Sequence, residues 1–205
     1  MIMERQYTLL FAGKHGVGKT KIFSYLKRQL LITDEEVLNS VSSNGHRFVT
    51  TVESHDVVAK VSVQDTAGME LSGTLGMTRS YFKDSHGIIL VANSNVVSSL
   101  HVLSDWVTAA QNYSDHGHRL VISLWLVDYE PTEMSVVQDF LREWHIPYNL
   151  MVHVSIANGN GVMEGFTMMV DAVIARNDGS PSSSSSLCVS GNTPVQPVKG
   201  SPCCS

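Results

Sequence analysis

The segment that most constrains the fold is GKHGVGKT, which runs from Gly13 to Thr20. It follows YTLLFA, a short apolar run that predicts a buried strand, and it precedes an apolar spacing that predicts a helix over residues 18–29. Glycines in such a loop let consecutive backbone N–H groups point inward, and the helix N-terminus adds the positive end of its dipole. The order strand, loop, helix therefore predicts a phosphate-binding site.

Side chains in this loop and in a second motif are of the types that bind a phosphate group together with a magnesium ion. Lys19 can reach the β- and γ-phosphates, and the hydroxyl of Thr20 is a ligand for Mg²⁺, which prefers oxygen. Asp65 lies in VSVQDTAG, where a carboxylate at a strand end can hold Mg²⁺ through water, and Gly68 can bring its N–H to the γ-phosphate. The predicted phosphate contacts within the loop are Gly13, His15, Gly16, Val17, Gly18, Lys19 and Thr20.

The rest of the body alternates strand and helix patterns. RFVTTVE and VVAKVSVQD, separated by SHD, predict a hairpin, and three later apolar runs predict buried strands at 87–92, 119–127 and 150–156. Helical patterns cover 98–111, 133–144 and 162–176. The alternation predicts an α/β fold with a mostly parallel six-stranded sheet, helices on both faces and one antiparallel edge strand.

Composition changes at Asn177. The remaining residues are rich in Ser, Pro and Gly and have few large apolar side chains, so we expect one domain over 1–176 and a flexible tail over 177–205. The chain has three cysteines, all in this tail, so no disulfide framework is expected in the body. No secretory signal or membrane-spanning run is visible, which predicts a cytoplasmic protein, and a net charge of -5 does not favour nucleic acid.

The two phosphate motifs resemble those of the Ras-type small GTPases. SYFKDSHGIILVA, residues 80–92, is similar to a stretch of the Rab branch, Tyr-Tyr-Arg-Gly-Ala-His-Gly, and SIANGNGVMEGF is similar to the family's Ser-Ala-Lys loop and last helix. The resemblance covers about residues 6–176 and implies a P-loop G domain with six strands and five helices. It also implies GTP or GDP and Mg²⁺ as ligands, a switch role in vesicle traffic, and effector, exchange-factor and escort proteins as partners.

The last residues, PCCS, extend this resemblance. Pro202 stands where a CaaX signal needs cysteine, which excludes that signal. The adjacent pair Cys203 and Cys204 looks like the doubly prenylated end of Rab proteins, and two lipid chains suffice for stable membrane anchoring. The resemblance therefore implies peripheral attachment to the cytosolic face of an endomembrane.

The family's catalytic and magnesium positions are altered. Met69 stands where the family has the Gln that positions the attacking water, and a thioether cannot replace it. His15 adds bulk near the γ-phosphate. We therefore name no catalytic residue and predict slow intrinsic hydrolysis. The switch I threonine that closes over Mg²⁺ corresponds to Ser42 or Ser43, or else this stretch is a plain polar loop.

The guanine-reading motif Asn-Lys-x-Asp of the family also departs from its pattern. It aligns with residues 125–128, where only Asp128 is retained and can accept hydrogen bonds from guanine. In that alignment Leu126 would cover the base in place of the lysine stem, and Trp125 could stack on it. Another register of the alignment is open.

The Ser-Ala-Lys loop corresponds to Ser155, Ile156 and Ala157, and the Ile156 N–H is predicted to reach guanine O6. Because a site that loses hydrogen-bonding partners discriminates less, we expect a weakened guanine preference. Two alternatives remain open: a scaffold that does not hydrolyse nucleotide, and a P-loop protein with relaxed base specificity.

Overall fold

A computed structural model describes residues 4–31, 46–54, 57–66, 75–93, 95–128, 134–178 and 187–189. Seven residues that the sequence singles out lie outside these ranges: Ser42, Ser43, Gly68, Met69, Pro202, Cys203 and Cys204.

The described strands form one sheet of seven strands in the order β2-β3-β1-β4-β5-β6-β7. Their bounds are β1 Glu4–Ala12, β2 Arg47–Ser54, β3 Val57–Asp65, β4 Gly87–Asn93, β5 Val121–Val127, β6 Leu150–Val154 and β7 Leu187–Val189. Neighbouring strands are parallel except the hairpin of β2 and β3. The predicted α/β class, the antiparallel edge strand and all six predicted strands are confirmed.

The described helices are α1 Lys19–Leu31, α2 Leu75–Lys83, α3 Val97–His101, α4 Leu103–Tyr113, α5 Met134–Glu143 and α6 Val162–Asp178. The single helix predicted over 98–111 is wrong, since α3 and α4 meet at Val102. The break leaves Leu100 and Leu103 both buried against the sheet. Helix α2 is not among the helices that the sequence pattern predicted.

The helices pack on both faces of the sheet and form two apolar clusters. One face is covered by α1 and α6, which contribute Phe23 and Phe166 among others. The other face is covered by α2, α4 and α5, with Phe82, Trp106 and Leu141. Side chains of a strand alternate between faces, so a central strand such as β5 is buried on both sides, and all seven of its residues are buried.

The seventh strand comes from the segment that was expected to be a flexible tail. Leu187–Val189 pairs in parallel with β6, with Val152 opposite Val189, and α6 extends to Asp178 rather than ending at residue 176. Without this pairing, β6 would present a row of unpaired backbone groups at the sheet edge. Those groups accept any extended segment, and Leu-Cys-Val is the apolar triplet within the serine-rich stretch.

Two histidines stack below β4, at the end of the sheet away from the glycine-rich loop. The rings of His86 and His116 lie 3.7 Å apart, and His86 Nδ1 accepts the Thr8 N–H at 3.2 Å. Burial first, and then the charges of His116 and Arg119, lower the pKa of His86 to about 4, against a backbone hydrogen bond and the charge of Asp84, which raise it. Burial also lowers the pKa of His116.

We expect the protein to lose stability as the pH falls from about 6.5, the ordinary histidine value, toward about 4. Between these pH values the imidazole of residue 86 is protonated in the unfolded chain but neutral in the folded chain. The free energy of unfolding therefore decreases as the pH falls. The measurement is urea unfolding between pH 7.5 and pH 4.5. A His86→Asn variant, which retains an acceptor for the Thr8 N–H, should show a flatter pH dependence, whereas exposed His118→Asn is the matched control. Equal slopes for His86→Asn and the unsubstituted chain would contradict the prediction.

Candidate functional site

The loop between β1 and α1 has a backbone that requires glycine. Gly13 has φ +139°, and a Cβ there would lie 2.3 Å from the Val91 carbonyl oxygen. Gly16 and Gly18 also have positive φ, at +83° and +104°. The loop therefore lies close against β4, and α1 begins directly after it at Lys19. This is the strand, loop and helix arrangement that the sequence predicted.

Lys19 is held inside the loop. Its side chain is 5% exposed, and Nζ donates to the carbonyl oxygens of Gly13 at 2.7 Å and Lys14 at 2.8 Å. Burial lowers the pKa of Lys19, while the charge of Asp65 acts in the opposite direction. An ammonium group that is buried and held by two carbonyls is poised to interact with an anion entering the loop.

Thr20 and Asp65 meet beside this lysine. The Thr20 hydroxyl donates to Asp65 Oδ2 at 2.8 Å, across 45 residues of sequence. Asp65 is 2% exposed, and its Oδ1 is buried and accepts no hydrogen bond from the described residues. A buried carboxylate oxygen without a donor, next to a hydroxyl, suits a hard cation that prefers oxygen ligands. The pair Thr20 and Asp65 therefore fits Mg²⁺.

The end of β5 does not provide the base contacts expected from the aligned motif. Trp125 is 0% exposed, its Nε1–H donates to Ser123 Oγ at 2.9 Å, and its ring contacts Phe11 edge-on at 5.7 Å. Leu126 is also 0% exposed and lies in the cluster on the opposite face. The predictions that Trp125 stacks on the base and that Leu126 covers it are therefore wrong. Both side chains are core residues because β5 is a central strand with helices on both faces.

Asp128 is the first exposed residue after β5. Its backbone is in the left-handed region with φ +46°, and its N–H donates to the Val154 carbonyl oxygen at 2.9 Å. Its Oδ1 accepts the Ile156 N–H at 3.2 Å. The structure thus brings together the two groups predicted to read guanine, but here they bond to each other. Base binding through the Ile156 N–H requires that this long hydrogen bond open.

The loop 155–157 also contacts the phosphate loop. The Ile156 side chain lies over Gly18, with Cγ2 3.1 Å from the position that a Cβ would take there. Ser155 Oγ accepts the Ala157 N–H at 3.3 Å, which holds the turn. A β-branched side chain at position 156 therefore narrows the space between the two loops.

A cleft of about 400 Å³ continues from Thr20 between α1 and residues 156–159. Its α1 wall consists of Lys21, Ser24, Tyr25 and Arg28, which were not predicted as site residues. The ring of Tyr25 lies 2.2 Å from where a Cβ would stand at Gly159, so only glycine fits there. Spacing by three and four residues places these polar side chains on one helix face, and this was the signal available in the sequence.

The structure thus brings together most of the predicted site. The phosphate loop, Asp65 and the region of Asp128 and residues 155–157 converge at the carboxyl ends of β1, β3, β5 and β6, where parallel sheets bind ligands. A family profile described as "Roc: Ras of Complex, Roc, domain of DAPkinase" matches residues 8–125. The chain belongs to the Ras-type GTPase family.

Curated relatives place this Ras-type domain near the Rab and Ypt proteins. It is 27% identical over 210 residues to Ras-related protein RABD2c of Arabidopsis thaliana, covering 97% of this chain and 96% of the relative. It is 27% identical over 205 residues to GTP-binding protein YPTM2 of Zea mays, with the same coverage. GTP-binding protein ypt1 of Schizosaccharomyces pombe is 29% identical over 168 residues, 80% of this chain and 77% of the relative. The domain is a Rab-like small GTPase domain.

Proposed function

We propose that this Rab-like domain binds GTP and GDP with Mg²⁺ and acts as a molecular switch in vesicle traffic. The observation that supports it most is the cluster of buried Lys19 and buried Asp65 with the exposed Thr20, whose hydroxyl donates to Asp65. The similarity to relatives named GTP-binding proteins supports the same ligand. Effector, exchange-factor and escort proteins would be the partners of such a switch.

Each residue of the cluster has a distinct part in the proposed binding. Lys19 exchanges the carbonyls of Gly13 and Lys14 for phosphate oxygens and neutralises their charge. Thr20 and Asp65 would hold a magnesium ion, which would neutralise charge on the phosphates. The N–H groups at the start of α1 and in the glycine-rich loop orient the phosphate chain.

Slow hydrolysis is part of the proposal, because Met69 cannot position water by hydrogen bonding. We expect Met69→Gln to raise the single-turnover rate of GTP hydrolysis roughly a hundredfold, the lower end of the range for a positioned proton-transfer group. The matched control is Met69→Leu, which changes shape without adding an amide and should leave the rate unchanged. A rate for the unsubstituted chain already equal to that of Met69→Gln would refute slow turnover.

Membrane attachment is proposed through lipid chains on Cys203 and Cys204. None of the helices that the structure describes is long and apolar enough to cross a bilayer. Two prenyl chains give stable anchoring without such a helix. The proposed location is therefore the cytosolic face of an endomembrane.

The deciding experiment is a calorimetric titration of nucleotide-free protein with GTP, GDP and ATP in the presence of Mg²⁺. We expect guanine nucleotides to bind more tightly than ATP, and Asp128→Ala to reduce that preference while leaving ATP affinity nearly unchanged. Asp128→Asn tests whether the carboxylate charge is needed. Absence of binding for all three nucleotides would overturn the proposal in favour of a scaffold.

A second candidate is a nucleotide switch with relaxed base specificity. It is favoured by the burial of Trp125 and Leu126 and by the hydrogen bond that joins Asp128 to the Ile156 N–H. Under this candidate GTP and ATP bind with similar affinity, and Asp128→Ala changes neither. The same titration therefore separates the two candidates.

A further inference from the structure

Three aromatic side chains meet on the outer surface of α3 and α5, and we call them the aromatic corner: His101, Phe140 and Trp144. Phe140 and Trp144 stack with ring centroids 5.5 Å apart and planes at 17°. The imidazole of His101 is nearly perpendicular to both, at 84° and 77°, with centroids 5.1 and 5.0 Å away. The corner thus presents aromatic faces in two directions.

The aromatic corner is more exposed to solvent than the other tryptophan side chains of this protein. Trp144 is 44% exposed, whereas the other two tryptophans, Trp106 and Trp125, are 3% and 0% exposed. His101 is exposed and Phe140 is half-buried against the core cluster of that face. A tryptophan is the side chain that contributes most when covered by a partner, so such exposure marks a contact surface.

The chain itself carries a segment whose chemistry fits this surface. Residues 193–199 read TPVQPVK, in which Pro194 and Pro197 form a P-x-x-P pattern. Segments of this pattern favour the extended polyproline conformation and dock against aromatic-lined surfaces. We propose that the aromatic corner binds segment 193–199 of the same chain.

The anchoring of β7 places this segment within reach. Val189 pairs opposite Val152 at the sheet edge, and α5 contributes Val137 and Leu141 to the apolar cluster that contains Leu124 of β5 and Met151 of β6. Pro194 and Pro197 follow Val189 by five and eight residues. At about 3.1 Å per residue, Pro194 and Pro197 can lie up to roughly 15 and 25 Å from Val189, which is more than the diameter of one helix.

Tethering and charge both favour docking within the chain. A short tether gives an effective concentration of about a millimolar, so a contact too weak to hold a separate partner can still be occupied within one chain. Lys199 is the single charged residue after Val189. The exposed charged side chains of α5 include Asp139 and Arg142, which form a salt bridge at 2.8 Å, and Glu143. This surface has one excess negative charge, which complements Lys199.

The test is acrylamide quenching of tryptophan fluorescence in the full chain, because Trp144 is the exposed tryptophan. The variant Pro194→Ala/Pro197→Ala removes the proposed ligand, and Pro181→Ala/Pro202→Ala removes two prolines elsewhere in the tail as the matched control. A millimolar contact at a millimolar effective concentration is about half occupied, so its loss should raise the quenching constant roughly twofold. The control should match the unsubstituted chain.

Two further measurements assign the effect to the corner. Millimolar TPVQPVK peptide added to Pro194→Ala/Pro197→Ala should restore protection, and a peptide with both prolines replaced by alanine should not. In a Trp144→Phe background the proline substitutions should leave quenching unchanged. Equal quenching constants for the unsubstituted chain and Pro194→Ala/Pro197→Ala would overturn the proposal. Protection that depends on protein concentration would also overturn it, since a second copy would then cover the corner.

Discussion

Restoring the family's guanine-reading residues, by Trp125→Asn with Leu126→Lys, is expected to unfold this protein rather than to improve base recognition. Both side chains are fully buried, on opposite faces of β5. Truncating a buried tryptophan costs about 3–5 kcal/mol. Burying an unpaired lysine costs several kcal/mol more, and the whole domain is stable by only about 5–15 kcal/mol. Thermal unfolding followed by circular dichroism measures the loss.

The matched control for this prediction is Trp125→Phe, which retains an aromatic ring against Phe11 but removes the indole N–H that Ser123 accepts. We expect it to cost about 1–3 kcal/mol, because one buried polar group loses its partner and part of the ring volume is lost. A double variant that melts within a few degrees of the unsubstituted chain and binds GTP more tightly would show that positions 125 and 126 face the nucleotide.

Lys19→Ala is expected to lower the affinity for GTP and GDP by at least about a hundredfold, since two charge-assisted hydrogen bonds of roughly 1.5 kcal/mol each are lost. The fold should persist, because the conformation of the surrounding loop depends on its glycines rather than on the lysine side chain. Removing a buried charge also removes the free-energy cost of desolvating it. The measurement is the calorimetric titration described above, with the melting temperature recorded alongside.

Lys14→Ala is the control within the same loop. Its Nζ donates to Ser98 Oγ at 2.6 Å on the exposed surface. Because an exposed contact of this kind contributes about 0–1 kcal/mol, we expect at most a small change in nucleotide affinity. Equal affinities for Lys19→Ala and the unsubstituted chain would place the nucleotide elsewhere than the glycine-rich loop.

The strands and the phosphate loop could be predicted from the sequence because their signals are local. The glycines between Gly13 and Thr20 allow a backbone conformation that depends on nearby residues alone, and Gly13, Gly16 and Gly18 have the positive φ angles that this conformation needs. Helix α2 and the break at Val102 could not be predicted, since short helices depend on the sheet against which they pack. The same holds for β7, whose pairing depends on the edge that β6 leaves open.

The base-reading region shows where sequence alone became insufficient. The sequence aligned Trp125 and Leu126 with residues that touch a ligand in the family, and it retained Asp128 at the expected position. The sequence predicted a buried strand over 119–127, but it could not show that positions 125 and 126 lie within the covered part of that strand rather than at an end that faces a ligand. By itself the sequence determined the fold class and predicted the glycine-rich loop with Lys19, Thr20 and Asp65 beside it, because glycine spacing and strand ends act through the local backbone. The tertiary structure alone decided that Asp128 bonds to the Ile156 N–H and that Trp144 is exposed, because burial and contacts across 28 residues or more depend on how the layers pack.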